Sequence, residues 1–168
     1  RRSSDLGFPD GTFKPSNQVT RAEAVRMFVK LVNNGAELPK NPTTSFKDAN
    51  NAWYSDEINF AVAKGFIKGY SDGTFKPNQA ITRAEFAQMI SAFVKNGYPG
   101  TGNFKDVKGH WASDAINELY GNKNIKGYSD GTFKPDQKLT RAEAVTILNS
   151  VFGRNTKSNS FANVSESG

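Results

Sequence analysis

Three copies of Thr-Arg-Ala-Glu, at 20–23, 82–85 and 140–143, place a guanidinium and a carboxylate two residues apart three times in 168 residues. A pair of carboxylates can run glycoside hydrolysis. Glu23, Glu85 and Glu143 have a simpler reading, because Thr-x-x-Glu is the spacing of a helix capping box. A catalytic residue is also seldom copied identically into every repeat. The single histidine, His110, excludes paired-His metal sites and leaves little for a Ser–His–Asp triad. With no cysteine there is no disulfide, thiolate nucleophile or Cys-based zinc site. Ser-Asp-Gly lacks the alternating acidic ligands of a calcium loop, and no phosphate-cradling glycine loop is present. The residues therefore predict a protein that is not an enzyme and carries no cofactor or metal.

Charge and hydropathy narrow the partners. Twenty-two Lys and Arg against sixteen Asp and Glu give a net charge of +6, which leans towards anionic partners without choosing among them. No basic run appears, so nucleic acid is not expected. No apolar stretch approaches the roughly 20 residues that span a bilayer, so membrane insertion is not expected either. Thirteen Phe supply apolar area worth burying, which argues for a packed core. The chain opens on Arg1 with no leader-like segment, as a mature product or a fragment would.

The elements that position these residues recur. Gly-Tyr-Ser-Asp-Gly-Thr-Phe-Lys-Pro at 69–77 is repeated unchanged at 127–135 and returns as Gly-Phe-Pro-Asp-Gly-Thr-Phe-Lys-Pro at 7–15. Phe-Lys-Asp followed by Trp occurs at 46–53 and again at 104–111. The chain is a tandem array. After each Trp, apolar residues at i, i+3, i+4 (Ile58, Ala61, Val62; Ala115, Ile116, Leu119) predict a short amphipathic helix. Ser-Asp-Gly-Thr predicts a tight turn. Each capping box then opens a longer helix, marked by Val25, Phe28, Val29 and Val32 and their counterparts. Phe13, Phe75 and Phe133 read as core, and Lys14, Lys76 and Lys134 as solvated charges. The expected units are 1–45, lacking its first helix; 46–103; 104–160; and a tail, 161–168, resembling the start of another. The fold class is mainly α, with little strand.

Taken together, these blocks resemble the S-layer homology repeat. The resemblance covers nearly the whole chain, and it implies helix-loop-helix repeats assembled as a pseudo-threefold, three-pronged bundle. It further implies a non-covalent anchor that holds S-layer or S-layer-associated proteins outside a Gram-positive or related bacterium. The implied partner is a pyruvylated secondary cell-wall polysaccharide, bound in grooves between repeats.

A pyruvate ketal presents a planar carboxylate, which suits the forked donors of Arg21, Arg83 and Arg141. Their place in the first helical turn adds backbone N–H groups and the helix dipole as anion-favouring elements. Sugar C–H faces pack on aromatics, a role open to Trp53, Trp111, Tyr70 and Tyr128, though either Trp can equally be a core anchor. Ser71 and Ser129 offer hydroxyls, and Gly69 and Gly127 allow close backbone approach. In the first unit Phe8-Pro9 replaces Tyr-Ser, so a groove built on that loop is expected to be weaker. His110 aligns with Ala52 and is not expected in the site. The alternative reading is a structural or self-associating repeat, with arginines pairing between chains and a homo-oligomer formed through the incomplete first repeat.

Overall fold

The computed structural model describes residues 16–95 and 102–153. Five helices follow in order: α1 (Arg21–Val32), α2 (Ser55–Ala63), α3 (Arg83–Val94), α4 (Ser113–Gly121) and α5 (Arg141–Phe152). Extended structure among the described residues is confined to three isolated antiparallel bridges, Gln18 with Thr140, Thr20 with Ala80 and Thr82 with Lys138. The first-unit loop at 7–15 and the tail at 161–168 lie outside the described residues.

The three long helices start as the capping box dictates. Thr20 Oγ1 accepts the Glu23 N–H at 3.0 Å and Glu23 Oε1 accepts the Thr20 N–H at 2.9 Å. Thr82 with Glu85 and Thr140 with Glu143 repeat the arrangement. A helix start leaves four N–H groups without intrahelical partners. Here the next repeat supplies the others. Arg21, Arg83 and Arg141 donate their N–H to the carbonyls of Gln79, Gln137 and Asn17, at 2.8, 2.9 and 2.9 Å. Ala22 and Ala84 donate to Pro77 and Pro135.

The residues just before the caps close a ring. Val19 N–H donates to Leu139 O, Leu139 N–H to Ile81 O, and Ile81 N–H to Val19 O, at 3.2, 2.9 and 2.9 Å. All three side chains are fully buried. Each repeat thus gives one bond to a neighbour and takes one from the other, which sets a pseudo-threefold axis. Phe28 of α1, Phe93 of α3 and Phe152 of α5 also meet one another, with ring centroids 5.3–6.2 Å apart. Phe66 packs edge-on against Phe28 and Phe93.

The short helices pack backwards. The helix of the second sequence unit, α2, lies against α1 of the first, and α4 of the third lies against α3 of the second. A partly buried hydrogen bond from the Ser91 hydroxyl to Glu118 joins α3 to α4. The conserved spacing of the blocks therefore describes a unit of sequence, while the packed helix pairs straddle two units.

The loops ahead of α3 and α5 are each fixed by an aspartate from the Phe-Lys-Asp block. Asp48 accepts the N–H groups of Phe75 and Lys76, and Asp106 those of Phe133 and Lys134, all at 2.8–2.9 Å. This holds Lys76 and Lys134 in the left-handed region, at φ 57° and 59°. Phe75 and Phe133 fill the core, at 0% and 1% exposure, as the sequence predicts. Within the turn, Asp72 accepts the Thr74 N–H and hydroxyl, and Asp130 does the same for Thr132.

Two predictions follow from the loop. A methyl at Gly127 would overlap the Phe104 ring and press on the Thr132 carbonyl, so G127A is expected to lower stability by about 1–3 kcal/mol, the usual cost of overpacking. Urea unfolding checks this, and a midpoint equal to wild type would contradict it. The Thr74 and Thr132 hydroxyls and N–H groups hold Asp72 and Asp130 below the ordinary 3.8. Their contribution is complete above pH 3.8 and is lost as pH falls through the lower folded values. The D72N/D130N variant is accordingly expected to lose less of its stability below pH 3.8 than wild type does, measured by melting temperature against pH.

Candidate inter-repeat clefts

The recurrent arginines turn inward across the repeat boundary. Arg21 is 3% exposed. Its Nε–H donates to Phe75 O at 2.8 Å and its Nη2 to Lys68 O at 3.0 Å, both carbonyls in the loop of the next unit. The guanidinium carbon sits 4.7 Å from the Tyr70 ring centroid and 4.6 Å from that of Phe75. Nη1 lies 3.4 Å from Glu85 Oε2. Arg83 repeats this against Phe133 O, Lys126 O, the Tyr128 and Phe133 rings and Glu143, the ion pair closing to 2.9 Å. Arg141 completes the circle by pairing with Glu23 at 3.5 Å and touching Met27 on α1. Burial pushes the Arg141 pKa down, and the Glu23 carboxylate opposes that shift. The first-unit counterpart of the loops at 69–77 and 127–135 is 7–15, outside the described residues.

Glu85 and Glu143 therefore each do three things at once, whereas Glu23 caps its helix and pairs with Arg141. Glu85 caps its own helix, pairs with Arg21 of the preceding unit and accepts the Tyr70 hydroxyl at 3.0 Å. Gln79 in turn donates to that hydroxyl. Burial raises the Tyr70 pKa above 10.0, Arg21 opposes the rise, and Glu85 adds to it. Tyr128, Glu143 and Gln137 form the equivalent cluster. Lys76 and Lys134 are more than solvated charges, since their ammonium groups lie 4.4 and 4.3 Å from the Tyr70 and Tyr128 ring centroids.

Two clefts open beside these arginines. One, of about 550 Å³, brings together Arg21, Lys68, Gly69, Tyr70, Glu85 and Trp111. The other, of about 380 Å³, is lined by Arg83, Lys123, Lys126, Gly127, Tyr128 and Glu143 among others. The first carries two cations against one carboxylate and the second three against one, so both favour an anion. Trp111 is 63% exposed and Trp53 53% exposed, which removes the reading of either as a core anchor. Trp53 lies outside both clefts, with Arg26 of α1 stacked 5.0 Å from its ring. Ser71 and Ser129 are exposed and line neither cleft.

Two physical readings from the sequence change. The first-turn N–H groups of α1 and α3, counted there as anion donors, are already bonded to neighbouring carbonyls and to the cap hydroxyls. Gly69 and Gly127 are small because the Phe46 and Phe104 rings press on them. Gln79, Gln137, Asp48, Asp106 and Lys123 were not singled out from the sequence. The 58-residue recurrence of the first four was the available signal. His110 also has a structural task, its Nε2–H donating to Asp136 Oδ1 at 2.9 Å while Nδ1 accepts the Ala112 N–H beside Trp111. Among the described residues there is no cluster of His, Cys, Asp and Glu able to hold a metal ion.

Comparison with known proteins agrees with this geometry. The family model for the S-layer homology domain matches residues 6–25, 45–87 and 103–145. A cellulosome-anchoring protein of Acetivibrio thermocellus is 40% identical over 85% of the chain and 34% of its own length. Cell surface glycoprotein 1 of the same organism is 39% identical over 88% of the chain and 7% of its own length. An S-layer protein of Bacillus licheniformis is 35% identical over 85% of the chain and 16% of its own length. The chain thus spans about a third or less of these relatives. Three matched segments, laid on three interlocked capping-box helices, place the chain in the S-layer homology domain family.

Proposed function

We propose that this module anchors its parent protein non-covalently to the bacterial cell wall by binding pyruvylated wall polysaccharide in the clefts between repeats. Cell-surface association agrees with relatives that are named as S-layer, cell-surface and cellulosome-anchoring proteins. No helix among the described residues is long and apolar enough to cross a membrane. The observation that carries the glycan reading is the cleft floor. A guanidinium is locked by loop carbonyls and two aromatic rings, so its remaining donors are already oriented. Arg21 has five N–H donors, and three meet acceptors within the chain. A carboxylate arriving there meets fixed donors and a net positive cleft and pays little to order them. The module is read as non-enzymatic, because each repeated Glu is committed to a cap and an ion pair, and Glu85 and Glu143 to a tyrosine hydroxyl as well.

Pairing of arginines between chains has less support. The three guanidiniums are at most 6% exposed and each is bonded within the chain. A single cleft using contacts of roughly 1.5–3 kcal/mol each would bind modestly. Two clefts on one polymer gain by linkage when the geometry allows both to engage.

Calorimetric titration with pyruvylated N-acetylmannosamine, beside the same sugar without pyruvate, tests the reading on wild type and on R21K/R83K. Lysine keeps the charge and loses the fork, and a melting curve checks that the variant is folded. Binding is expected for the pyruvylated sugar alone, weakened about tenfold or more in the variant, as lost charge-assisted hydrogen bonds imply. Heat from neither sugar would overturn the glycan reading. Equal binding of both sugars would overturn the role given to the carboxylate.

A further inference from the structure

The two clefts are built from equivalent parts of the chain, yet three of their lining positions differ in one direction. Gly65, Phe66 and Ala92 of the Arg21 cleft become Lys123, Asn124 and Ser150 in the Arg83 cleft, each 58 residues on. Phe66 turns its ring onto Phe28 and Phe93, which gives the Arg21 cleft an apolar lining residue, and the exposed Trp111 indole lines the same cleft. Asn124 instead donates to Ser150 Oγ at 3.0 Å, and no indole lines the Arg83 cleft among the described residues.

Lys123 is the most informative of the three. Gly65 and Lys123 both sit in the left-handed region, at φ 78° and 66°. Glycine takes that conformation freely, whereas a residue with a Cβ seldom does. The second cleft thus holds a strained backbone position with a cation on it, where the first meets the same geometry without strain. The conformation is that of a helix end, since Lys123 directly follows the α4 C-cap and Lys76, Lys95 and Lys134 also have positive φ; what sets the position apart is the cation it adds to the cleft.

We propose that the clefts are specialised: the Arg21 cleft stacks a singly charged sugar on Trp111, and the Arg83 cleft reads a second anionic group on the glycan through Lys123. This rests on the glycan reading above. Indole stacking depends on the C–H face of a sugar and is insensitive to a further charge. An added ammonium beside Arg83 rewards a second negative charge, and it does so less at high salt.

The test is an NMR titration that follows the amides of Gly69 and Gly127, one in each cleft, with two probes. One is pyruvylated N-acetylmannosamine and the other a synthetic disaccharide carrying two pyruvate ketals. Wild type is compared with W111A and with K123G, which installs the counterpart residue and relaxes the backbone. At Gly127 the doubly charged probe is expected to bind about tenfold tighter than the single one in wild type, the value of one extra charge-assisted contact. In K123G that preference should fall to about the twofold expected from the second ketal's statistics alone, and its salt dependence should weaken. At Gly69, W111A should weaken both probes alike and K123G neither. Wild-type binding that K123G leaves unchanged at Gly127, or that W111A leaves unchanged at Gly69, would overturn the specialisation while the glycan reading stood. Absence of wild-type binding by either probe would overturn both.

Discussion

An arginine that cannot satisfy its charge inside its own repeat is the constraint on which the structure depends. Arg21, Arg83 and Arg141 leave the first turn of one unit and reach the loop, aromatic rings or glutamate of another. A buried guanidinium stripped of its partners costs several kcal/mol, so each unit is poorly formed without its neighbour. The backbone follows the same rule, since N–H groups at the start of each long helix end on carbonyls from the next unit. Ion pairs, first-turn bonds and the Val19–Leu139–Ile81 ring all run round the same axis. A tandem array with such mutual dependence is a closed assembly, and cooperative unfolding of the repeats is the natural consequence.

The same economy shapes the clefts. Holding repeats together already requires an oriented guanidinium between two rings, a loop pinned by Asp48 or Asp106, and a glutamate held by a tyrosine hydroxyl. An anion site then needs only that the inter-repeat seam stay open and carry more positive than negative charge, and both described clefts do so. Preorganisation of this kind lowers the entropic cost of binding. A structural reason for the arginine's recurrence is therefore compatible with the ligand role proposed for it. The two uses of the arginine are not alternatives.

Local features of the fold were legible in the sequence. The capping boxes, the periodic apolar positions and the Ser-Asp-Gly-Thr turn depend on neighbours within a few residues, and α1 to α5 form where those patterns lie. Phe75 and Phe133 were legible as core for the same reason. What escaped was contact over long separations. Nothing near Arg21 in sequence says that Lys68 O and Phe75 O receive it, or that the N–H groups of its turn are taken by Gln79 and Pro77. Gly69 looked like a place for a ligand because its neighbour across the chain, Phe46, is 23 residues away. Trp53 and Trp111 could not be divided between core and surface until the backward packing of α2 and α4 was known. Of the candidate site, the residue types and recurrent positions were legible, and Arg21, Tyr70, Arg83 and Tyr128 do line the clefts, whereas Trp53, Ser71 and Ser129 do not.

The claim that one guanidinium both staples the repeats and receives the ligand can be tested at the atoms concerned. Nitrogen-15 NMR of the arginine side chains resolves Nε–H signals for Arg21 and Arg83, whose bonds to Phe75 O and Phe133 O are buried. In the free protein these protons should exchange slowly with water. Pyruvylated N-acetylmannosamine should shift them without releasing them, and the sugar lacking pyruvate should not. Fast exchange in the free protein would contradict the staple. Saturable binding of the pyruvylated sugar with both signals unmoved would contradict the arginine's part in recognition.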